Sequence, residues 1–101
     1  MTKLTYSKHF HRKVKSLIKG DKDLFDSFLN CIGLLCADIN NPKLKSHKVI
    51  SRKTEKSAIA VSVTGSIRIL YEISPDQTDC VHLVDIGPHD GSKKVYVTSS
   101  N

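Results

Sequence analysis

A chain of 101 residues, 39% of them hydrophobic, can bury one modest core but not two, so it reads as a single domain spanning 1–101. Its formal charge of +6 is uneven: residues 1–56 hold thirteen Lys/Arg and five Asp/Glu, whereas 57–101 hold three and five. That basic half suits a polyanionic partner, nucleic acid before others, or only a solvated surface. Three cysteines without C-x-x-C spacing argue against a disulfide scaffold or zinc ribbon, and no apolar run nears the roughly 18 residues that span a bilayer.

Met1 to Tyr6 has no apolar core for export, so the chain is expected in the cytoplasm. Lys3 to Tyr6 can form a short strand, and Ser7 is placed to cap a helix. That helix carries Phe10, Val14, Leu17 and Ile18 as one apolar stripe, with Lys8, Arg12, Lys13, Lys15 and Lys19 on its other faces. Gly20 stops it and Asp21 caps the next helix, where Leu24, Phe25, Phe28, Leu29, Ile32, Leu35 and Cys36 form a broad apolar face. Cys31 and Cys36 read there as small buried hydrophobes. Asn40-Asn41-Pro42 ends the second helix, and the tight Gly-Asp connection makes an antiparallel hairpin. Both helices spend their stripes on burial, which disfavours a DNA-reading helix-turn-helix.

Residues 43–56 are crowded with Lys43, Lys45, His47, Lys48, Arg52, Lys53 and Lys56, and predict a surface loop. From Ala58 the apolar period becomes two: Ile59, Val61 and Val63 share one face, Ala60 and Ser62 the other. Thr64-Gly65-Ser66 turns the chain into a strand from Ile67 to Ile73, with Ile67, Ile69, Tyr71 and Ile73 on one side and Arg68, Leu70 and Glu72 on the other. Ser74-Pro75-Asp76 turns again, and Val81 to Ile86 forms the last clear strand before Gly87-Pro88. The helix hairpin is the cover available for this meander. The expected fold is α+β, an antiparallel two-helix hairpin packed on one face of a small, mainly antiparallel sheet, with the other face open.

If Ile67, Ile69 and Tyr71 face the helices, Arg68 and Ser62 emerge on the open side, with His89 and Asp90 just past a neighbouring strand end. Arg68 either clamps a phosphate or pairs with Glu72 on its own face. His47 and His89 either exchange protons with a substrate or are ordinary loop histidines. His9 and His11 do not share an i, i+4 face, which makes metal ligation there unfavourable. His82 reads as a strand surface residue. Strict alternation turns Asp85 toward the apolar side, which is costly unless it caps or pairs.

Taken together, Asn41-Pro42-Lys43-Leu44-Lys45-Ser46-His47-Lys48-Val49, Ser66-Ile67-Arg68-Ile69-Leu70-Tyr71-Glu72-Ile73, Asp85-Ile86-Gly87-Pro88-His89-Asp90 and Val95-Tyr96 resemble the RelE/YafQ branch of the RelE/ParE toxin superfamily. The resemblance covers nearly the whole chain. It implies the RelE-like microbial RNase fold and the toxin of a type II toxin–antitoxin pair. Such a toxin cuts messenger RNA in the ribosomal A site, beside small-subunit rRNA, by metal-independent attack of a ribose 2′-hydroxyl on the adjacent phosphate. It needs no cofactor or metal, is neutralised by a cognate antitoxin, and meets operator DNA only through that antitoxin; no membrane is involved. Carried over, His89 corresponds to the general acid, His47 to the base or its electrostatic partner, Arg68 to the phosphate ligand and Tyr96 to the aromatic that positions a base. Lys45, Lys48, Ser62, Asp90, Lys93 and Lys94 complete the implied substrate contacts.

The chain departs from the family's pattern at four points, one being that it has no Trp where typical members carry an aromatic or tryptophan near the hairpin. Ser62 stands where YafQ-like members carry a histidine, and Ser66 where a carboxylate is common. Gly91-Ser92-Lys93-Lys94 lengthens the spacer before Tyr96, so the sequence leaves its reach open, while Lys93 and Lys94 offer a compensation, since lysines serve as catalytic cations in RelE. The fold family also contains ParE-like gyrase inhibitors, and a degenerate toxin that binds only antitoxin and operator DNA is the other alternative.

Overall fold

The computed structural model describes residues 2–74 and 76–98. Strand β1 (Lys3–Tyr6) leads into helices α1 (Lys8–Ile18) and α2 (Lys22–Ala37), and a 3₁₀ turn (Pro42–Leu44) follows. Then come β2 (His47–Ser51), β3 (Ser57–Ser62), β4 (Ile67–Ser74), β5 (Gln77–Pro88) and β6 (Tyr96–Thr98). The six strands form one sheet in the order β1-β5-β4-β3-β2-β6. Among the described residues only the β1–β5 pair is parallel. No helix among the described residues is long and apolar enough to cross a membrane.

Local chemistry sets the helix boundaries where the sequence predicts them. Ser7 Oγ accepts the Phe10 N–H at 3.0 Å, and Asp21 Oδ1 accepts the Leu24 N–H at 3.0 Å. Each cap is worth about 1 kcal/mol. Gly20, at φ +75°, takes the left-handed turn between the helices, which a side chain would strain. The hairpin then packs Phe10, Val14, Cys31 and Leu35 against Val61, Ile69, Tyr71, Val81, Leu83 and Ile86 of the sheet. The apolar face of α2 is wider than this contact: Phe25 and Leu29 stay 40% and 50% exposed.

Three expectations change. Residues 43–56 are not only a surface loop, because His47–Ser51 is a sheet strand in which Val49 and Ser51 are fully buried, as is Leu44 just before it. The polar residue at Ser51 hid the alternation, but its hydroxyl is satisfied by the Thr54 N–H at 3.3 Å. The face away from the helices is not open throughout either. Val49, Ala58, Ala60, Leu70, Val84, Val95 and Tyr96 form a second apolar cluster. Residues of β2, β3, β4 and β5 supply its floor, and the chain beyond β5 folds back to complete it.

The third change concerns β5, which is longer than Val81 to Ile86 and carries a bulge. Leu70 opposes Asp85 but Tyr71 opposes Leu83, so Val84 has no cross-strand partner. The extra residue reverses the alternation after it. Ile86 enters the helix-side core, and Asp85 shares the face of Leu70 instead of turning toward the helix-side core. Pro75, of the expected Ser74-Pro75-Asp76 turn, lies outside the described residues.

Candidate active site

The N-terminus of β2, the C-terminus of β3, the N-terminus of β4 and the C-terminus of β5 meet at one end of the sheet. His47 opposes Ala60, Ser62 opposes Arg68, and Arg68 opposes Gly87. Cross-strand partners share a face, so His47, Ser62 and Arg68 all stand on the side away from the helices. His89 follows β5 at the same end, its N–H donating to the Ser66 carbonyl at 3.2 Å. Thus the three predicted acid–base and phosphate residues, far apart in sequence, lie at one end of the sheet, on β2, on β4 and just past β5, with Ser62 of β3 between His47 and Arg68.

His47 is oriented by its neighbours. Nδ1 lies 3.1 Å from the Lys45 carbonyl, which can only accept, so Nδ1 carries a proton and, in the neutral ring, the lone pair is on Nε2. The left-handed backbone of Lys45 (φ 52°) turns the chain there. The ring of Tyr96 meets His47 edge-on, with centroids 5.7 Å apart and planes at 76°. Tyr96 therefore does reach this end of the sheet despite the long spacer. The spacer folds into an arch: the Val95 N–H donates to the Pro88 carbonyl at 2.9 Å, and the Arg52 N–H donates to the Val95 carbonyl at 2.9 Å. Arg52 Nη1 also donates to the carbonyls of Ser92 (3.1 Å) and Lys94 (3.2 Å).

Arg68 does not pair with Glu72. Its Nη1 donates to the Thr64 carbonyl at 2.7 Å and the Ile67 carbonyl at 3.2 Å, which fixes a half-buried guanidinium over the β3–β4 turn. A guanidinium has five N–H donors, and these contacts use Nη1 alone. Ser62 Oγ donates to the same Thr64 carbonyl at 3.0 Å. One turn carbonyl therefore holds both side chains.

The remaining predicted contacts divide between places. Lys45 lies with His47 at the edge of a cavity of about 480 Å³ lined also by Lys48, Ile59, Tyr71 and Ile73. Lys48 alternates with His47 and so projects to the opposite face from Arg68. Burial pushes the Tyr71 phenol above its ordinary range. Asp90 and Lys93 are exposed on the arch, whereas Lys94 joins a separate cleft with His9, Lys13, Arg52, Lys53 and Asp85.

Sequence reasoning missed the network in that cleft. Asp85, 3% exposed, accepts on Oδ1 from His9 Nε2 (3.1 Å), Lys13 Nζ (2.9 Å) and the Ile86 N–H (2.9 Å). A carboxylate in an apolar strand and a His/Lys pair at i, i+4 on α1 were its signals. Without the bulge their meeting could not be read. Among the described residues no three His, Cys, Asp or Glu side chains gather as a metal-binding set.

The fold, a helix hairpin on one face of a six-stranded sheet, matches that of YafQ and of other toxins of known structure. A metal-bound toxin from Helicobacter pylori is 24% identical, with a TM-score of 0.66 over 88% of this chain and 96% of that one. YafQ from E. coli strain BL21(DE3) is 17% identical, with a TM-score of 0.65 over 87% and 93% of the two chains. In the E. coli DinJ-YafQ complex the matching chain is 20% identical, with a TM-score of 0.67 over 88% and 94%. No family model and no curated protein matches the sequence.

Proposed function

We propose that this chain is a single-domain toxin of a type II toxin–antitoxin pair, a ribosome-dependent endoribonuclease that cuts messenger RNA in the A site. The observation that carries the reading is the placing of His47, Arg68 and His89 at one end of the sheet of a YafQ-type fold, with Tyr96 against His47. In the proposed reaction Nε2 of His47 takes the proton of the ribose 2′-hydroxyl. The resulting alkoxide attacks the adjacent phosphorus, and the bond to the 5′-oxygen breaks as His89 protonates that leaving group. Arg68 stabilises the charge on the phosphorane, and the products are a 2′,3′-cyclic phosphate and a 5′-hydroxyl. Tyr96 positions a base, Lys45, Asp90 and Lys93 act at the edges of the substrate, and Lys94 stands apart in the cleft beside Asp85.

Lys48 has a lesser part in this reading, since it faces away from Arg68. The DinJ-YafQ complex supports a cognate antitoxin as the partner that silences the toxin, with operator DNA reached only through it. Purified protein added to translating ribosomes is expected to leave messenger ends within A-site codons, in the cytoplasm as in the tube. His89→Ala should abolish them with unchanged circular dichroism; undiminished cleavage by that variant would overturn the assignment.

One observation favours a second reading. Ser62 takes the position of a family histidine, and its hydroxyl is committed to the Thr64 carbonyl. A degenerate toxin would bind antitoxin and leave growth and messenger RNA intact when expressed alone. The paired histidines argue against a ParE-like gyrase inhibitor, which would arrest gyrase with messenger RNA uncut.

A further inference from the structure

We propose that the cleft beside Asp85 is a second site for nucleic acid, one that grips the sugar–phosphate backbone of RNA away from the scissile bond. The inference rests on the ribonuclease reading for the identity of its ligand and deepens it. The cleft, about 380 Å³, brings together Lys13 of α1, Arg52 and Lys53 of the β2–β3 turn, and Lys94 of the arch, with His9 at its side. These carry four formal positive charges, and Asp85 is the one carboxylate among the lining residues.

That balance is what marks the cleft as a site. Asp85 is already committed to Lys13, to His9 and to the Ile86 N–H. Its single charge offsets one cation and leaves an excess of three. Like charges held together repel unless an anion enters between them, and half-buried walls strengthen the field they make. Three of the four cations are also anchored, while Lys53 is exposed. Lys13 and His9 are only 33% and 29% exposed and bound to Asp85, while Arg52 clamps the arch through the carbonyls on either side of Lys93. The Lys94 backbone is thereby fixed, and the residue forms one wall.

The cleft and the histidine site share the arch. Val95 packs over Gly87, which is the cross-strand neighbour of Arg68, and a side chain at position 87 would meet both Val95 Cγ1 and Lys13 Nζ. An RNA strand engaged at Arg68 therefore has the Lys13–Lys94 cations within the same face of the molecule. Phosphates, not bases, are the matching ligand, because lysine and arginine offer donors and charge without an aromatic platform in this cleft.

The test compares wild type with Lys53→Gln/Lys94→Gln, two side chains whose loss leaves the Asp85 network and the Arg52 clamp in place. The charge-matched control is Lys19→Gln/Lys22→Gln, at the distant helix connection. Affinity is measured by fluorescence anisotropy for a 12-nucleotide RNA with a 2′-deoxy scissile position and for messenger-free small ribosomal subunits, across salt concentration. For the single strand the cleft variant should bind roughly tenfold more weakly, and its log–log salt slope should fall by about 1.4, from about 0.7 per phosphate contact. Loss on the oligonucleotide assigns the site to the message; loss on subunits alone assigns it to ribosomal RNA. Unchanged affinity and slope in both arms, or an equal loss in the control, would overturn the cleft site. Cleavage is scored separately: wild type that binds through the cleft but never cuts would overturn the nuclease reading and leave the cleft standing.

Discussion

Tyr96 stands edge-on to His47, their ring centroids 5.7 Å apart, at the far end of an arch that begins beside His89. The imidazole is thus held twice, by the Lys45 carbonyl through Nδ1 and by the Tyr96 ring. Edge-to-face pairs gain about 1 kcal/mol beyond burial, and Tyr96 is 7% exposed. The contact belongs to the ring rather than the hydroxyl. Tyr96→Phe should therefore keep cleavage within about threefold, while Tyr96→Ala, by freeing His47, should lower it roughly tenfold to a hundredfold. The alanine variant should also lose about 3 kcal/mol of stability. Initial rates on translating ribosomes beside urea unfolding will separate the two effects, and full activity in Tyr96→Ala would show that the aromatic does not orient the base.

The helices were readable because their signals are local. Ser7, Gly20 and Asp21 punctuate strongly periodic segments, and Ile67 to Ile73 alternates without interruption. The face of Arg68 and Ser62 followed from that alternation alone. What escaped depends on distant partners. Strand β2 offers one large fully buried residue, Val49, beside a buried serine, so its pattern resembles a basic loop until β3 and β6 flank it. The bulge at Val84 has no local signature, yet it decides which way Asp85 faces. The reach of Tyr96 rests on Arg52, 44 positions earlier, whose backbone and guanidinium gather the arch.

The Lys13–Asp85 pair should show the asymmetry of ion pairs with one buried member. Asp85 is 4% exposed in its side chain and Lys13 33%, so Lys13 can turn to water when left alone but Asp85 cannot. Lys13→Met is expected to cost about 2–4 kcal/mol, because it strips a buried carboxylate of its lysine. Asp85→Leu should cost less, and adding it to Lys13→Met should recover part of the loss. Urea midpoints for the three variants check this; strictly additive losses would mean the pair is not coupled.

Gly87 is fixed by packing, not by backbone angle. A Cβ there would lie 2.6 Å from Val95 Cγ1, and Val95 is tied by its N–H to Pro88 and by its carbonyl to Arg52. The arch has little freedom to retreat. Gly87→Ala should destabilise the protein by roughly 1–3 kcal/mol. Trimming the obstruction in Gly87→Ala/Val95→Ala should return the thermal midpoint toward that of Val95→Ala alone. A Gly87→Ala protein that melts with wild type would show that the arch yields freely.

Cys31 gives the fold a dependence on alkaline pH. Burial in the helix-side core pushes its thiol from 9.0 up to about 11. The folded state therefore holds the proton more tightly than the unfolded chain, and the stability that results is complete below pH 9 and is lost as pH rises toward 11. The slope in that window approaches roughly 1.4 kcal/mol per pH unit. Tyr71, raised by its own burial, acts in the same direction, so the wild-type curve alone does not isolate the thiol. The difference between wild type and Cys31→Ala does: urea midpoints should run parallel below pH 9 and converge above it. In the folded protein at pH 8, Cys36 and Cys80, which are partly exposed, should react with an aromatic disulfide reagent before Cys31, which waits on unfolding. Rapid labelling of Cys31 in the native state, or parallel curves to pH 11, would refute the assignment.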